Sequence, residues 1–345
     1  MIHAVDTHSG ESMRVITGGL PNIPGKTVYE QMRWLEKNDD QVRLLMLKEP
    51  RGYPALCCNL IVPPKNPNAD AGFIIMEQVE CPVMSGGNTI SVVTVLLETG
   101  MIPMKEPITE LTLEAPAGLI DIRAECSNGK VISVTFKNVP AFALYINEEI
   151  NVPHLGKVKV DVGWGGMFYV IADIRQFEGL EIVPGNGSEI ARISSMIRKA
   201  AEEQLPVEHP DYPGVGITIA QLSGPTKNPK ADWKNAVTVA TGEHHWDDPS
   251  TWTGALDRSP CGTGTCAKMA TLYAKGELNL DQDFHHEGIL GLVYTGRLVE
   301  EVKVGEHKAV VPTISGQAWI TGFNNYVLDP TDPFQNGYTI GDIWA

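Results

Sequence analysis

Two short phrases hold the residues best suited to chemistry. "CPVMSGGNTI" starts at Cys81 and "RSPCGTGTCA" at Arg258, and each sets a small nucleophilic residue, Ser85 or Cys261, ahead of a glycine-rich turn, a threonine and an apolar run. A turn of this kind at a helix N-terminus offers unpaired N–H groups and the positive end of the helix dipole. Glycines let the backbone approach an anion closely, so each phrase reads as a carboxylate clamp. A cysteine at such an end is biased toward its thiolate. If Ser85 and Cys261 flank one small carboxylate substrate, a proton is removed from one face of a carbon and another is returned from the opposite face. One glycine-rich turn alone is commonplace, and a lone cysteine reads equally as a small buried hydrophobe. Two such phrases in register point to a shared site. Asp257, four residues before Cys261, reads either as a turn cap or as a partner for a substrate amine.

The register extends into the elements that position these residues. Gly100 lies fifteen residues after Ser85, and Gly276 fifteen after Cys261, so each segment reads as turn, helix and C-terminal glycine. Propensity alone assigns Ile90 to Val95 to a strand, because most of that run is β-branched. The matched length argues instead for a helix buried on every side. Upstream of each phrase lies an amphipathic helix. One is capped by Thr27 with Glu30 as a capping box, and the other starts near Ser188 with Ile190, Ile193, Met196 and Ile197 on one face. Most other apolar runs, including "MRVITGG", "VRLLML", "GLIDIRAEC" and "VGITIAQL", read as short strands punctuated by Gly and Pro. The chain therefore reads as duplicated, with a boundary near Val139.

Composition narrows the function classes. The chain has 345 residues, 43% of them hydrophobic and 20% charged, enough for about two domains with sizeable cores. A net charge of −15 disfavours nucleic acid and anionic membrane surfaces, although a local anion site remains compatible with it. The sequence shows no apolar stretch of membrane-span length and no signal-peptide pattern at its start. Six cysteines follow neither a paired metal spacing nor a disulfide ladder, so a cytoplasmic protein with reduced thiols and no metal is expected. Cys57 and Cys58 read as buried strand residues. His244 and His245, in "TGEHHWDDPS", invite a pairing with Cys261, but their polar surroundings favour a solvated loop.

At these residues the chain resembles the proline racemase family, which includes hydroxyproline 2-epimerases and trans-3-hydroxyproline dehydratases. The resemblance covers nearly the whole chain. Its phrases are "DTHSGESMRVITGGLPNIPGKT", "EPRGYP", "SGQAWITGFNNYVLDPTDPF" and, the most specific, "DRSPCGTGT". It implies an α/β (α+β) fold of the diaminopimelate-epimerase-like kind, with two pseudo-twofold-related lobes. Each lobe is a β-barrel-like sheet around a central helix, and a cofactor-independent site lies between them. Residues 1–138 would form the lobe with Ser85, with 322–345 returning to it, and 139–321 the lobe with Cys261. By position, the two catalytic cysteines of the family fall on Ser85 and Cys261. Gly86, Gly87, Gly262 and Thr263 match residues that hold the substrate carboxylate, and Asp257 an aspartate near the ring nitrogen. The family's "CGHGT" is here "SGGNT", which replaces a thiol and a histidine, and a histidine often found ahead of a "GP" step is absent near "ITIAQLSGP".

The serine has a physical consequence. A hydroxyl ionises near a pKa of about 15.7 and a thiol near about 8.5, which makes the alkoxide roughly 10 kcal/mol harder to form. A helix dipole offsets only about 1–2 kcal/mol of that. Proline racemisation by two equivalent thiols is therefore disfavoured. The resemblance implies cofactor-independent dehydration of trans-3-hydroxy-L-proline to Δ1-pyrroline-2-carboxylate, with 4-hydroxyproline 2-epimerase side activity, the substrate being a small molecule and a homodimer a compatible assembly. The rivals are a dedicated 4-hydroxyproline 2-epimerase, an epimerase of another small amino acid, acyl transfer by Cys261, and a non-catalytic imino-acid-binding protein.

Overall fold

In the computed structural model, residues 1–341, 343 and 344 are described, and the chain separates into two compact units. One comprises Met1–Lys137 with Ser315–Trp344, the other Asn138–Ile314.

The first unit runs β1 (Ile2–His8), β2 (Ser12–Gly18), α1 (Val28–Asn38), α2 (Gln41–Leu47), β3 (Cys57–Val62), β4 (Ala71–Met76), α3 (Gly86–Glu98), β5 (Ile108–Ala115), β6 (Gly118–Ser127) and β7 (Lys130–Lys137). The second runs β8 (Ala141–Val152), β9 (Gly156–Trp164), β10 (Phe168–Asp173), α4 (Gly187–Gln204), β11 (Ile217–Gly224), β12 (Trp233–Val239), the two-residue β13 (Ala255–Leu256), α5 (Gly262–Ala274), β14 (Asp283–Glu287), β15 (Val293–Val304) and β16 (His307–Gly316). The last strand, β17 (Trp319–Tyr326), returns to the first unit, where it pairs antiparallel with β1.

Both units alternate their pairings in the same order. From β1 to β6, neighbours pair antiparallel, parallel, antiparallel, parallel, antiparallel. From β9 through β10, β11, β12 and β14 to β15 the same alternation repeats. In the second unit β16 pairs back onto β8, and β8 onto β9, which closes the sheet into a barrel. Each barrel encloses one helix. α3 touches β1, β2, β3, β7 and β17, strands from around its ring, and α5 touches β8, β9, β10 and β15. Residues Gly86 to Leu97 are all buried. The enclosing barrel overrides the strand propensity of Ile90–Val95, because a helix satisfies its own backbone groups inside an apolar tube. Thr89, Thr94 and Thr99 satisfy their hydroxyls the same way, each donating to the carbonyl four residues back. Both helices end in the left-handed glycines their matched lengths required, Gly100 at φ 76° and Gly276 at φ 73°.

Two local expectations need adjusting. "VRLLML" forms helix α2 instead of a strand. Leu, Met and Arg are strong helix formers, Arg43 pairs with Asp40 three residues earlier, and the last three residues (Leu45, Met46, Leu47) are buried. At α1, Thr27 accepts from the Glu30 amide as expected of a cap, but the Glu30 carboxylate accepts from the Lys26 amide, one residue further out than a strict capping box. α4 buries Ile190, Ile193, Met196 and Ile197 as its periodicity indicates.

Candidate functional site

In the second unit the chain enters α5 through a tightly bonded turn. Asp257 Oδ1 accepts from the Ser259 amide at 2.7 Å, and Ser259 Oγ accepts from the Cys261 amide at 3.0 Å. Asn235 Nδ2 donates to the Pro260 carbonyl at 2.7 Å, while Thr265 donates to the Cys261 carbonyl through both its amide and its hydroxyl. These bonds hold Cys261 at φ 61°, ψ 106°, a conformation L residues avoid at a cost of order 1–3 kcal/mol. Strain of this size persists only where the surroundings over-determine it.

The Cys261 sulfur is buried and well furnished. The Tyr169 hydroxyl lies 3.3 Å from Sγ and 2.7 Å from Thr263 Oγ1, and against a thiolate it can act as the donor, since an ionised sulfur can only accept. The Gly264 amide also reaches the sulfur, and so does the Asp257 carboxylate. Gly264 lets the turn close on the sulfur, since a Cβ there would stand 3.0 Å from Sγ and 2.9 Å from Gln221 Oε1 and would displace one of them. The thiol pKa is raised well above its ordinary value, by burial first and by the Asp257 charge second. The Tyr169 and Gly264 donors oppose the rise without cancelling it. This reverses the thiolate bias read from the helix end alone, because desolvation and a neighbouring anion outweigh the dipole.

The first unit offers a different arrangement. Ser85 precedes α3 at φ −150°, ψ 125°, ordinary extended backbone, and is partly exposed. Its Oγ accepts from Asn88 Nδ2 at 2.8 Å, and Asn88 Oδ1 accepts from buried Asn59 Nδ2 at 2.6 Å. The serine hydroxyl therefore acts as an acceptor within this asparagine pair. Gly86 and Gly87 are the first residues of α3, and Gly262 and Thr263 the first of α5, so all four contribute first-turn amides that lack an intrahelical acceptor. Asp257 is half-buried beside Cys261.

The histidines separate. His245 is exposed, as a solvated loop requires. His244 is buried, contrary to that expectation. Its Nδ1 bonds Ser195 Oγ at 2.8 Å, its ring packs on Trp246 and Trp252, and burial lowers its pKa to about 4. Two tryptophans supply the apolar wall that a count of polar neighbours conceals. The sequence reading also passed over Tyr169, Asn59, Asn88 and Gln221. Tyr169 sits in a run that reads only as core, and Gln221 is fully buried with neither amide atom hydrogen-bonded in the structure. Only Asn88, inside "SGGNT", was close enough to a recognisable phrase to be found.

Comparison with known proteins gives a consistent picture. The family profile described as proline racemase matches residues 4–339. A proline racemase of Clostridioides difficile is 38% identical over 341 residues, 98% of each chain. Among solved structures, a probable proline racemase from Agrobacterium radiobacter K84 with bound carbonate superposes with a TM-score of 0.90 at 35% identity, covering 100% of this chain and 98% of that one. A hydroxyproline epimerase from Agrobacterium vitis with bound trans-4-OH-L-proline gives the same score and identity over 99% and 96%. A PhzF-family phenazine biosynthesis protein from Bacillus anthracis, at 13% identity and a TM-score of 0.56, shares the fold alone.

Proposed function

The chain belongs to the proline racemase family, and within it we propose that it acts on hydroxyprolines in the cytosol without a cofactor, chiefly dehydrating trans-3-hydroxy-L-proline. The observation that supports this reading is the inequality of the two phrases. Cys261 has a sulfur in contact with a phenol, a backbone amide and a carboxylate, whereas Ser85 has only a partly exposed hydroxyl that accepts from Asn88. Such a pair favours a reaction that needs one strong base.

In this reading the first-turn amides at Gly86, Gly87, Gly262 and Thr263 hold the substrate carboxylate. The protonated ring nitrogen pairs with Asp257. That pairing offsets the Asp257 charge, the second cause of the raised thiol pKa after burial, and so favours the thiolate when substrate is bound. The thiolate takes the α-proton, the electron pair expels the 3-hydroxyl on the same face, and the hydroxyl leaves as water on receiving that proton back from the Cys261 thiol. The resulting enamine tautomerises to Δ1-pyrroline-2-carboxylate. A substrate without a 3-hydroxyl has nothing to expel, and its carbanion is reprotonated by the Ser85 hydroxyl on the other face. That second reading, 4-hydroxyproline 2-epimerisation, is favoured by the relative that binds trans-4-OH-L-proline at 35% identity.

The test is product identification by NMR after incubation with trans-3-hydroxy-L-proline and with trans-4-hydroxy-L-proline. Loss of water from the first, faster than inversion of the second, is the expected result. Inversion without dehydration would reverse the ranking, and no turnover of either would leave a binding protein.

A further inference from the structure

Lys268 lies on α5 seven residues beyond Cys261, about 10 Å along the helix axis at 1.5 Å per residue. The matching position of α3, seven residues beyond Ser85, is Val92, which is fully buried. A helix enclosed in such a barrel therefore has no packing need for an amine there.

Lys268 is only 6% exposed, and among the described residues its ammonium makes no hydrogen bond or ion pair. It rests over the Trp233 ring, 4.6 Å from the centroid. Nearby Asp161 and Asp173 are already engaged, Asp161 by Lys275 and Asp173 by Arg175, each at 2.5 Å. Burial outweighs both carboxylates and brings the Lys268 pKa down to about 8, so a substantial fraction stays charged at neutral pH. A cavity of about 480 Å³ opens at this amine, bounded by β8, β9, the end of β10, the start of β12 and the second half of α5. Arg175 lies 5.9 Å from the centroid of the same Trp233 ring, so two cations converge on one indole. Around the cavity four cationic and three acidic side chains leave one positive charge in excess. The ammonium has three donors and no acceptor, in a chamber one anion short of neutrality.

We propose that this cavity binds a compact oxyanion, a carboxylate or a phosphate group, on the Lys268 ammonium. The site is independent of the chemistry at the other end of α5, and its test needs no turnover. Trace labelling of the wild-type protein with acetic anhydride at pH 8, read lysine by lysine by peptide mass spectrometry, reports access to each amine. Inorganic phosphate and acetate, each against chloride at equal ionic strength, separate the two oxyanion classes. Acetylation of Lys268 should slow at least threefold with one of them while exposed lysines such as Lys157 and Lys227 are unchanged. An unchanged Lys268 rate in both overturns the proposal. Thermal unfolding supplies a second readout. Phosphate stabilises proteins generally, so the diagnostic quantity is a shift in the wild type larger than that in Lys268→Met, shrinking as the pH is raised toward 10. Equal shifts in the two proteins would also overturn the site.

Discussion

The N-termini of α3 and α5 occupy equivalent places in two barrels of one plan, yet they have been finished differently. Ser85 stands on relaxed backbone, partly open, with its oxygen held by an asparagine pair. Cys261 stands on strained backbone, buried, with a phenol, an amide and a carboxylate around its sulfur. The shared plan supplies two helix ends whose first-turn amides lack intrahelical acceptors. In the proposed reading, this divergence assigns proton abstraction to the cysteine end and leaves the serine end a donor. Of the two ends, the one with the thiol has the strained backbone, and there it fixes the sulfur relative to Gly264 and Tyr169.

The largest break in this comparison is Cys261→Ala. It should lower every turnover by about 10²–10⁴-fold, the usual share of a positioned acid–base group, with an unchanged circular dichroism spectrum. A variant keeping more than a tenth of wild-type turnover would remove Cys261 from the chemistry. Next comes Ser85. Ser85→Ala should reduce epimerisation about a hundredfold, because inversion needs a proton source on both faces, and dehydration distinctly less. Ser85→Cys should raise epimerase relative to dehydratase turnover, which steady-state assays of both activities at one pH will read. Asp257→Asn tests the electrostatics. The carboxylate destabilises the thiolate, so its removal should move the pH profile of Cys261 alkylation by iodoacetamide to lower pH. Tyr169→Phe removes a donor from the sulfur and should move the profile to higher pH. A smaller effect is expected for Asn88→Ala, a severalfold loss of epimerisation with unaltered Cys261 alkylation; a changed alkylation profile would contradict the separate roles of the two ends.

The sequence made the duplication visible because it rests on backbone requirements. A glycine-rich start and a left-handed glycine fifteen residues later define a helix whatever its interior propensity, and Gly100 and Gly276 fill that role in both units. Ser85 and Cys261 were legible as helix caps for the same reason. The environment of the sulfur was not. Tyr169 reaches Cys261 from a strand ninety-two residues earlier, and its letter in "MFYVIAD" is that of any core aromatic. The direction of the thiol pKa was misread because the helix end is a local feature, whereas burial and the approach of Asp257 are tertiary. His244 was misplaced for a similar reason, since a window rich in Asp, Ser and Thr does not show that Trp246 and Trp252 fold over the ring.

Exchange of the substrate α-hydrogen with solvent deuterium, followed by NMR in the wild type, Ser85→Ala and Cys261→Ala with 4-hydroxyproline, tests the division of labour most directly. The account predicts that Ser85→Ala still exchanges the α-hydrogen of the isomer facing Cys261 but returns it to the same face, so deuterium enters without inversion. It predicts that Cys261→Ala exchanges nothing. Exchange surviving in Cys261→Ala, or lost in Ser85→Ala while Cys261→Ala keeps it, would show that the serine end holds the base and would contradict the account.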